Sequence, residues 1–452
     1  MDASAHSDAR TIAAISTAAG TGAVSMIRIS GPGAVAVAAR ACGAEVNRQP
    51  SHQARHRRIL GKGDEIIDDG LMTVMRGPHS YTGEDTVEFT GHGGILVTRE
   101  VLGRFLECGA EPAAPGEFTR QAFLNGKLDL TQAEGVMDLI SAQTRLALRA
   151  ARSQLEGSLG KRTTEARDEL LACLAHLEAW IDFPEEDIDP ETGKDLQKRV
   201  REVLQSVESL LATADQGRIL REGVRTVIYG PPNVGKSSLL NHLLGFERAI
   251  VSEVAGTTRD TIEEVINLNG LPLRLIDTAG VRESDDLVES KGIERTEREI
   301  RDADLLLEVA DASAPATPDP SSRRESPAHL MILNKCDLGE HESWKGMEGV
   351  RLSCLQQDGF AELSEAIHQT LQFKEVDWGE QVVAINARHQ QSLMKAEQSL
   401  GAALELMNPD STHAELAAID LREALDALGE IPGKVDTEDL LGVIFSSFCI
   451  GK

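Results

Sequence analysis

The nine residues GPPNVGKSS, from Gly230 to Ser238, satisfy the spacing G-x-x-x-x-G-K-[ST]. Gly230 and Gly235 let the chain turn tightly enough for its N–H groups to wrap phosphate oxygens. Lys236 adds a point charge for the outer phosphates, and the Ser237 hydroxyl suits a Mg²⁺ ion. Asn233, Val234 and Ser238 complete the loop. An apolar run, VRTVIYG, leads into it and a helical pattern follows Lys236, which is the strand–loop–helix context this chemistry requires.

Further elements follow in the order a guanine nucleotide needs. DTAG, Asp277 to Gly280 with Thr278 and Ala279 between, closes the next apolar run. A carboxylate there can hold a Mg²⁺ shell, and the Gly280 N–H can meet a γ-phosphate. NKCD, Asn334 to Asp337, closes another run. The Asp337 carboxylate can accept from the ring N–H and amino group of guanine, an edge that adenine lacks, while Lys335 lies over the base. Ser353-Cys354 stands where a Ser-Ala base-cradling loop is usual. AGTTRD offers hydroxyls at Thr257 and Thr258 for completing Mg²⁺ coordination. The set predicts GTP binding.

Hydrolysis needs an oriented water, and GTPases commonly place a Gln directly after DTAG for this. This chain has Val281, which can neither orient nor deprotonate water. The segment VRESDDLVESKGIERTERE offers Glu283, Asp285, Asp286, Glu289 and Glu294, and the residues alone do not choose among them.

These groups need a frame. The apolar runs VRTVIYG, LPLRLIDTAG, DADLLLEVADAS and HLMILNKCDL end in Gly, Asp or Asn and alternate with helix-like segments, which predicts a doubly wound parallel sheet. Helical periodicity flanks it, from RQAFLNGKLDLTQAEGVMDLI onward and again in HQQSLMKAEQSLGAALELM and HAELAAIDLREALDALGEI. Nearer the N-terminus, TIAAIST, VSMIRIS, IIDDGLMTVM and DTVEFTGHGG are β-like runs between glycine turns. The expected architecture is an α+β N-terminal domain (1–120), a discontinuous α-helical domain (121–216 and 379–452) and an inserted α/β P-loop GTPase domain (217–378). WIDFPEEDIDPETGKD reads as a solvated linker, and ASAPATPDPSSRRESPAHL as a flexible link.

The 452 residues are 41% hydrophobic and 26% charged, an ordinary globular composition. No apolar stretch has the length of a membrane span and no signal pattern opens the sequence, so a cytoplasmic protein without a membrane partner is expected. Cys42, Cys108, Cys173, Cys336, Cys354 and Cys449 form no CxxC pair and read as reduced thiols. A formal charge of −27 opposes non-specific phosphate binding, so contact with nucleic acid has to come from a local patch or a partner protein. The terminal run LLGVIFSSFCIGK is apolar where chain ends are usually polar. Cys449-Ile450-Gly451-Lys452 has the outline of a lipid-anchor box, but Gly451 is not aliphatic, Lys452 is not a usual last residue and no polybasic stretch precedes it.

GPPNVGKSSLLN, AGTTRD, DTAGVRE, NKCD and the terminal FCIGK, with RISG, YTGEDTVEFTGHGG and PGEFTRQAFLNGKLDLTQAE, resemble the MnmE (TrmE) tRNA-modification GTPases across essentially the whole chain. FCIGK joined to a P-loop GTPase is the most specific element. The resemblance implies a Ras-like GTPase domain stimulated by K⁺ and by G-domain dimerisation, the cation standing in for an arginine finger. It implies a homodimer through the N-terminal domains, which bind 5-formyl- or methylene-tetrahydrofolate as a one-carbon donor. It also implies a flavoprotein partner, MnmG (GidA), carrying FAD in a heterotetramer-type complex. The implied product is a 5-aminomethyl or 5-carboxymethylaminomethyl group on the wobble uridine of tRNA.

By the same resemblance Asn233, Ser252, Val254 and Thr257 are the K⁺ ligands, with Ser252 in place of the more usual Thr. Ser237 and Thr258 are the Mg²⁺ ligands, and Glu289 positions the attacking water. Arg28, Glu88, Lys127 and Lys452 belong to the folate pocket, the basic groups suiting folate carboxylates and Glu88 the donor edge of the pterin. The apolar tail is then expected to pack into the helical domain and deliver Lys452 to that pocket. Cys449 is expected as a small buried hydrophobe and His92 as a structural residue. STAAGTGAVSMIRIS departs from the family's Pro-Pro-Gly-Arg-Gly stretch beside the folate site, and Ser353-Cys354 departs at the base loop. A ribosome-assembly GTPase would share the nucleotide motifs but needs a basic RNA-binding appendage. A pure nucleotide switch would show slow, K⁺-insensitive turnover.

Overall fold

Val87 and Phe89 are buried on either side of half-buried Glu88 in the strand Thr86–His92, so that strand hides an apolar face and keeps a polar one accessible. It belongs to a six-stranded sheet. The computed structural model describes residues 10–182, 190–245, 264–276, 299–316, 328–371, 383–407, 414–433, 438–446 and 448–451. These residues divide into two compact units, one holding those up to 137 and from 429 onward, the other holding those between.

The first unit contains β1 (Ile12–Ile15), β2 (Val24–Ser30), β3 (Gln53–Leu60), β4 (Ile66–Met75), β5 (Thr86–His92) and β6 (Glu111–Pro112). Their order is β3-β4-β5-β2-β1-β6, and every pairing is antiparallel except β1 with β6. Helices α1 (Ala34–Cys42) and α2 (Ile95–Glu107) cover one face, with Phe105 of α2 packed in one core with Ile27, Ile29 and Phe89 of the sheet. The Phe89 and Phe105 rings meet edge to face at 6.4 Å. Strands were legible as β1, β2, β4 and β5, but β3 was not: QARHRRIL has no apolar alternation. It forms because β4 offers a ladder and because buried Gln49 donates from Nε2 to Gln53 O and Met72 O, at 2.9 and 2.8 Å. Helices α3 (Glu117–Leu124) and α4 (Leu130–Ser141) follow the sheet.

The second unit carries α5 (Arg145–Leu155), α6 (Ser158–Asp182), α7 (Pro190–Leu211) and α8 (Ala214–Glu222) before its own sheet. That sheet holds β7 (Val224–Tyr229), β8 (Glu264–Leu268), β9 (Leu271–Leu275), β10 (Leu305–Asp311), β11 (Ala328–Asn334) and β12 (Val350–Arg351), in the order β12-β11-β10-β7-β9-β8. Five strands are parallel, as expected, but β8 runs antiparallel to β9. The reason is Asn269-Gly270, whose φ values of 51° and 94° make a two-residue hairpin turn. Helices α9 (Lys236–Leu243) and α10 (Phe360–Thr370) accompany the sheet, followed by α11 (Ala387–Leu406) and α12 (Ala414–Glu430). Arg199 on α7 ties to Glu169 on α6, and Arg422 on α12 to Glu178 on α6. The last helix, α13 (Glu438–Ser446), returns to the first unit. Among the described residues no helix is long and apolar enough to cross a membrane.

Candidate functional site

β7 delivers the chain to Gly230, where φ is +144° and a Cβ would lie 2.2 Å from the Val309 carbonyl oxygen on β10. Only glycine fits so close a backbone approach. The loop then climbs through Asn233 at φ 62° to Gly235 at φ 102°, which is the N-cap of α9. The free N–H groups and dipole of that helix N-terminus favour an anion over the loop. Lys236 folds back and donates from Nζ to Gly230 O and Pro231 O, at 2.9 and 2.7 Å. Burial pushes its ammonium below the ordinary value, so an arriving phosphate would meet a cation that gains from being paired. Val234 is buried and Ser237 and Ser238 open α9.

The base end is built from the C-terminal tips of β10 and β11 and the loop after β12. Asn334 is buried, donates from Nδ2 to Val234 O at 2.8 Å, and accepts the Cys354 N–H on Oδ1 at 3.1 Å. Asp337 accepts from the Ser353 hydroxyl on Oδ1 at 2.6 Å, and that hydroxyl also accepts the Gln356 N–H at 3.1 Å. One side chain therefore joins the phosphate loop, the NKCD tip and the Ser353-Cys354 loop. Burial pushes the Cys354 thiol up to about 11, leaving a neutral, compact group beside the base loop.

Lys335 sits at φ 65° and its Nζ is 2.7 Å from Asp311 Oδ2, at the end of β10. Asp311 Oδ1 accepts from the Ser313 N–H at 2.9 Å and its hydroxyl at 2.6 Å. Burial works to raise the Asp311 carboxyl, but the hydrogen bonds from Lys335 and Ser313 outweigh it and hold the group below its ordinary value. The motif reading missed Asp311, although DAS at the end of a strong apolar strand repeats the placement of the Asp in DTAG. Ser252, Val254, Thr257, Thr258, Asp277, Thr278, Ala279, Gly280 and Glu289 lie outside the described residues, as do Val281 and most of the Pro/Ser-rich link.

A second constellation lies in the first unit. Arg28 on β2 faces Glu88 on β5 in register, and Glu88 Oε1 accepts from Arg28 Nε and Nη2 at 3.0 and 2.8 Å. The Arg28 guanidinium lies 5.2 Å from the Tyr81 ring centroid and 5.6 Å from that of Phe118. Its Nη1 is buried with no hydrogen-bond partner. Arg28 is thus already neutralised by Glu88, with one donor left for a ligand acceptor. The spacing of residues did not reveal Tyr81 and Phe118, which clamp the guanidinium, nor half-buried Glu84, whose Oε2 is covered and whose carboxyl burial raises. Lys127 donates from Nζ to Pro78 O at 3.0 Å and is otherwise exposed.

The tail enters this unit. Phe445 and Phe448 pack with Phe123, Leu130, Ala133 and Leu441, so both phenylalanines of the run are buried, while Ile450 beyond them is exposed. Gly116 N–H donates to Cys449 O at 3.4 Å, and Ser16 Oγ donates to Gly451 O at 3.0 Å. Gly451, at φ 97°, would place a Cβ 2.3 Å from Ile15 O, so the chain lies directly on the end of β1. The tail packs on α3, α4 and β1. Lys452 itself lies outside the described residues. Cys449 is exposed and not the buried hydrophobe expected, because the two phenylalanines fill the apolar space and turn it outward. His92 holds buried Asp68 through Nδ1 at 2.6 Å and its N–H at 3.0 Å. The departing AAGTG loop is fastened nearby, Gly22 N–H donating to Gly93 O at 2.9 Å.

Comparison with known proteins adds an independent line. The family described as "GTP-binding protein TrmE N-terminus" matches residues 11–127, and that described as "MnmE helical domain" matches residues 130–449. The protein named tRNA modification GTPase MnmE from Akkermansia muciniphila is 54% identical over 445 residues, covering 98% of this chain and 99% of that one. Those of the same name from Aquifex aeolicus and Natranaerobius thermophilus are 45% and 43% identical, each covering 98% of this chain and 99% of theirs.

Proposed function

The chain belongs to the MnmE family of tRNA modification GTPases, and from that membership we propose that it hydrolyses GTP in a K⁺- and Mg²⁺-dependent manner while modifying wobble uridine. The partner in that reaction is the flavoprotein MnmG (GidA) with its FAD, the one-carbon donor a tetrahydrofolate, and the place of work the cytoplasm. The observation that carries the nucleotide part is the Asn334 side chain, which binds the phosphate loop at Val234 and the base loop at Cys354 together. Asp337 reads guanine, Lys335 covers it, and Lys236 leaves its two carbonyl partners for the phosphates. Ser237 with Thr258 would hold Mg²⁺, and Asn233 with Ser252, Val254 and Thr257 would hold K⁺. Such cations supply positive charge against the charge that develops on the transferring phosphoryl group. Glu289 orients water, and closure of two G domains in the homodimer completes the site.

The one-carbon part is supported by Arg28, whose unpartnered Nη1 beside the Tyr81 and Phe118 rings suits a planar ligand with acceptor atoms. Lys127 and Lys452 complete that reading. Steady-state GTP hydrolysis in KCl and in NaCl, with Asn233→Ala and Glu289→Ala alongside, tests the proposal. Turnover is fast only in K⁺ and is lost in both variants. Turnover that ignores the cation, or survives loss of Glu289, overturns the catalytic assignments.

A further inference from the structure

β3 is an edge strand: it pairs only with β4, and its outer backbone groups face away from the sheet. It carries Arg55, His56, Arg57 and Arg58 in succession and no carboxylate, and Arg48 lies just before the Gln49 that anchors it. Arg48, Arg55 and Arg58 are exposed and Arg57 is half-buried. Arg57 is steered by Gln49, whose Oε1 accepts from its Nε at 3.3 Å. On the same strand His56 meets Asp69, and elsewhere in this unit Lys62 meets Glu107, Arg76 meets Asp85 and Arg10 meets Glu117. Among the described residues none of the four arginines forms an ion pair. In a chain with 73 acidic and 46 basic residues, Arg55, Arg57 and Arg58 within four positions, with Arg48 shortly before them, are a local reversal of sign.

We infer that the β3 edge, with Arg48, Arg55, Arg57 and Arg58, is the surface on which this chain receives the phosphate backbone of tRNA. The inference rests on the tRNA-modification reading and adds to it the place of contact. Protection of an edge strand against self-pairing explains one or two charges of either sign. It does not explain four of the same sign with none of them in an ion pair, the Asp69 that stands opposite Arg58 in register being taken by His56. Guanidinium forks match phosphate oxygens in pairs, stay charged at every physiological pH and are less strongly hydrated than ammonium groups. Alternate residues on a strand share a face about 6.6 Å apart, which is the relation of Arg55 to Arg57, while Arg58 stands on the other face, so the edge offers donors to either side of an anion chain lying along it. Such contacts position RNA by shape and charge and do not read its sequence. The remaining surface, net acidic, repels the polyanion and restricts it to this edge.

The test uses the full-length chain and a labelled tRNA transcript bearing a wobble uridine, titrated from about 50 to 200 mM KCl. The variant Arg48→Gln/Arg55→Gln/Arg58→Gln weakens binding about tenfold or more at low salt and lowers the slope of log K against log salt by about 3. The corresponding triple Arg→Lys variant keeps most of the slope, and GTP turnover and the thermal midpoint stay unchanged in both. Wild-type protein that binds tRNA, with the glutamine variant binding alike at the same slope, overturns the inference and leaves the functional reading intact. Wild-type protein that binds no tRNA, alone or with its flavoprotein partner, overturns the reading and the inference with it. A glutamine variant that loses self-association while keeping its RNA slope assigns the edge to a second copy of the chain, and also overturns the inference.

Discussion

Asn334 Nδ2 lies 2.8 Å from the carbonyl oxygen of Val234, so the residue that opens the base-reading motif also fixes the phosphate loop. Asn334→Ala leaves the buried Val234 carbonyl without this donor, at about 1–3 kcal/mol, and frees the half-buried Cys354 N–H at a smaller cost. Stability of the G domain falls, and affinity for GDP and GTP falls with it because the two loops lose their common brace. Thermal denaturation with and without GDP checks both effects, and an unchanged nucleotide affinity would remove Asn334 from this role.

Gly235 faces the same side chain. A Cβ there would lie 2.1 Å from Asn334 Nδ2, at a φ of 102° that L-residues avoid. Gly235→Ala is expected to destabilise the nucleotide-free protein by about 1–3 kcal/mol. Chemical denaturation midpoints measure this directly. A neutral substitution would mean that the loop relaxes without strain.

Asp311 acts through Lys335. Asp311→Ala frees the lysine and removes the acceptor of the Ser313 turn, while Asp337 keeps its Ser353 partner. Guanine nucleotide affinity is expected to drop about tenfold, equivalent to about 1.4 kcal/mol. Preference for guanine over adenine persists if, as proposed, that choice belongs to Asp337. Loss of the preference would show that Asp311 touches the base.

His92 supplies a pH dependence whose sign follows from its partner. The hydrogen bond to Asp68, then its charge, raise the folded-state value of His92 above the ordinary one. The stabilising contribution is therefore complete below the ordinary histidine value and is lost as pH rises through the folded-state value. An NMR titration of the His92 ring reads the shift, and Asp68→Asn returns it toward the ordinary value. A ring that titrates identically in both proteins would contradict the pairing.

Much of the fold was legible because its elements obey simple periodicities. The strand before Gly230, the runs ending at Ile276, Asp311 and Asn334, and the N-terminal runs around Ile27 and Val87 all present apolar residues that a sheet must bury. β3 was illegible because its first residues are exposed and mostly polar, only Ile59 being fully buried, and its strand identity comes from β4 and Gln49, neither of which is local information. β8 was hidden for a related reason: five residues joined to β9 by Asn269-Gly270 are too short for pattern alone. At the nucleotide site, motif residues announce themselves by spacing, whereas Asp311 acts on Lys335 from 24 positions away and belongs to no motif. Tyr81 and Phe118 flank Arg28 only after β2, α3 and the turn before β5 have been assembled.

The outward turn of Cys449 has a practical consequence. Cys42, Cys108 and Cys173 are buried, and burial pushes the Cys42 thiol up to about 12 and that of Cys354 up to about 11. Alkylating reagents attack the thiolate and need access to it. Cys336 is half-covered and its thiol is also raised, burial being the main cause. A maleimide fluorophore added to the unaltered chain should therefore mark Cys449 first, three residues from its end. The tail that seats Gly451 on β1 thus comes with its own attachment point for a dye, and its docking can be followed by light without changing a residue.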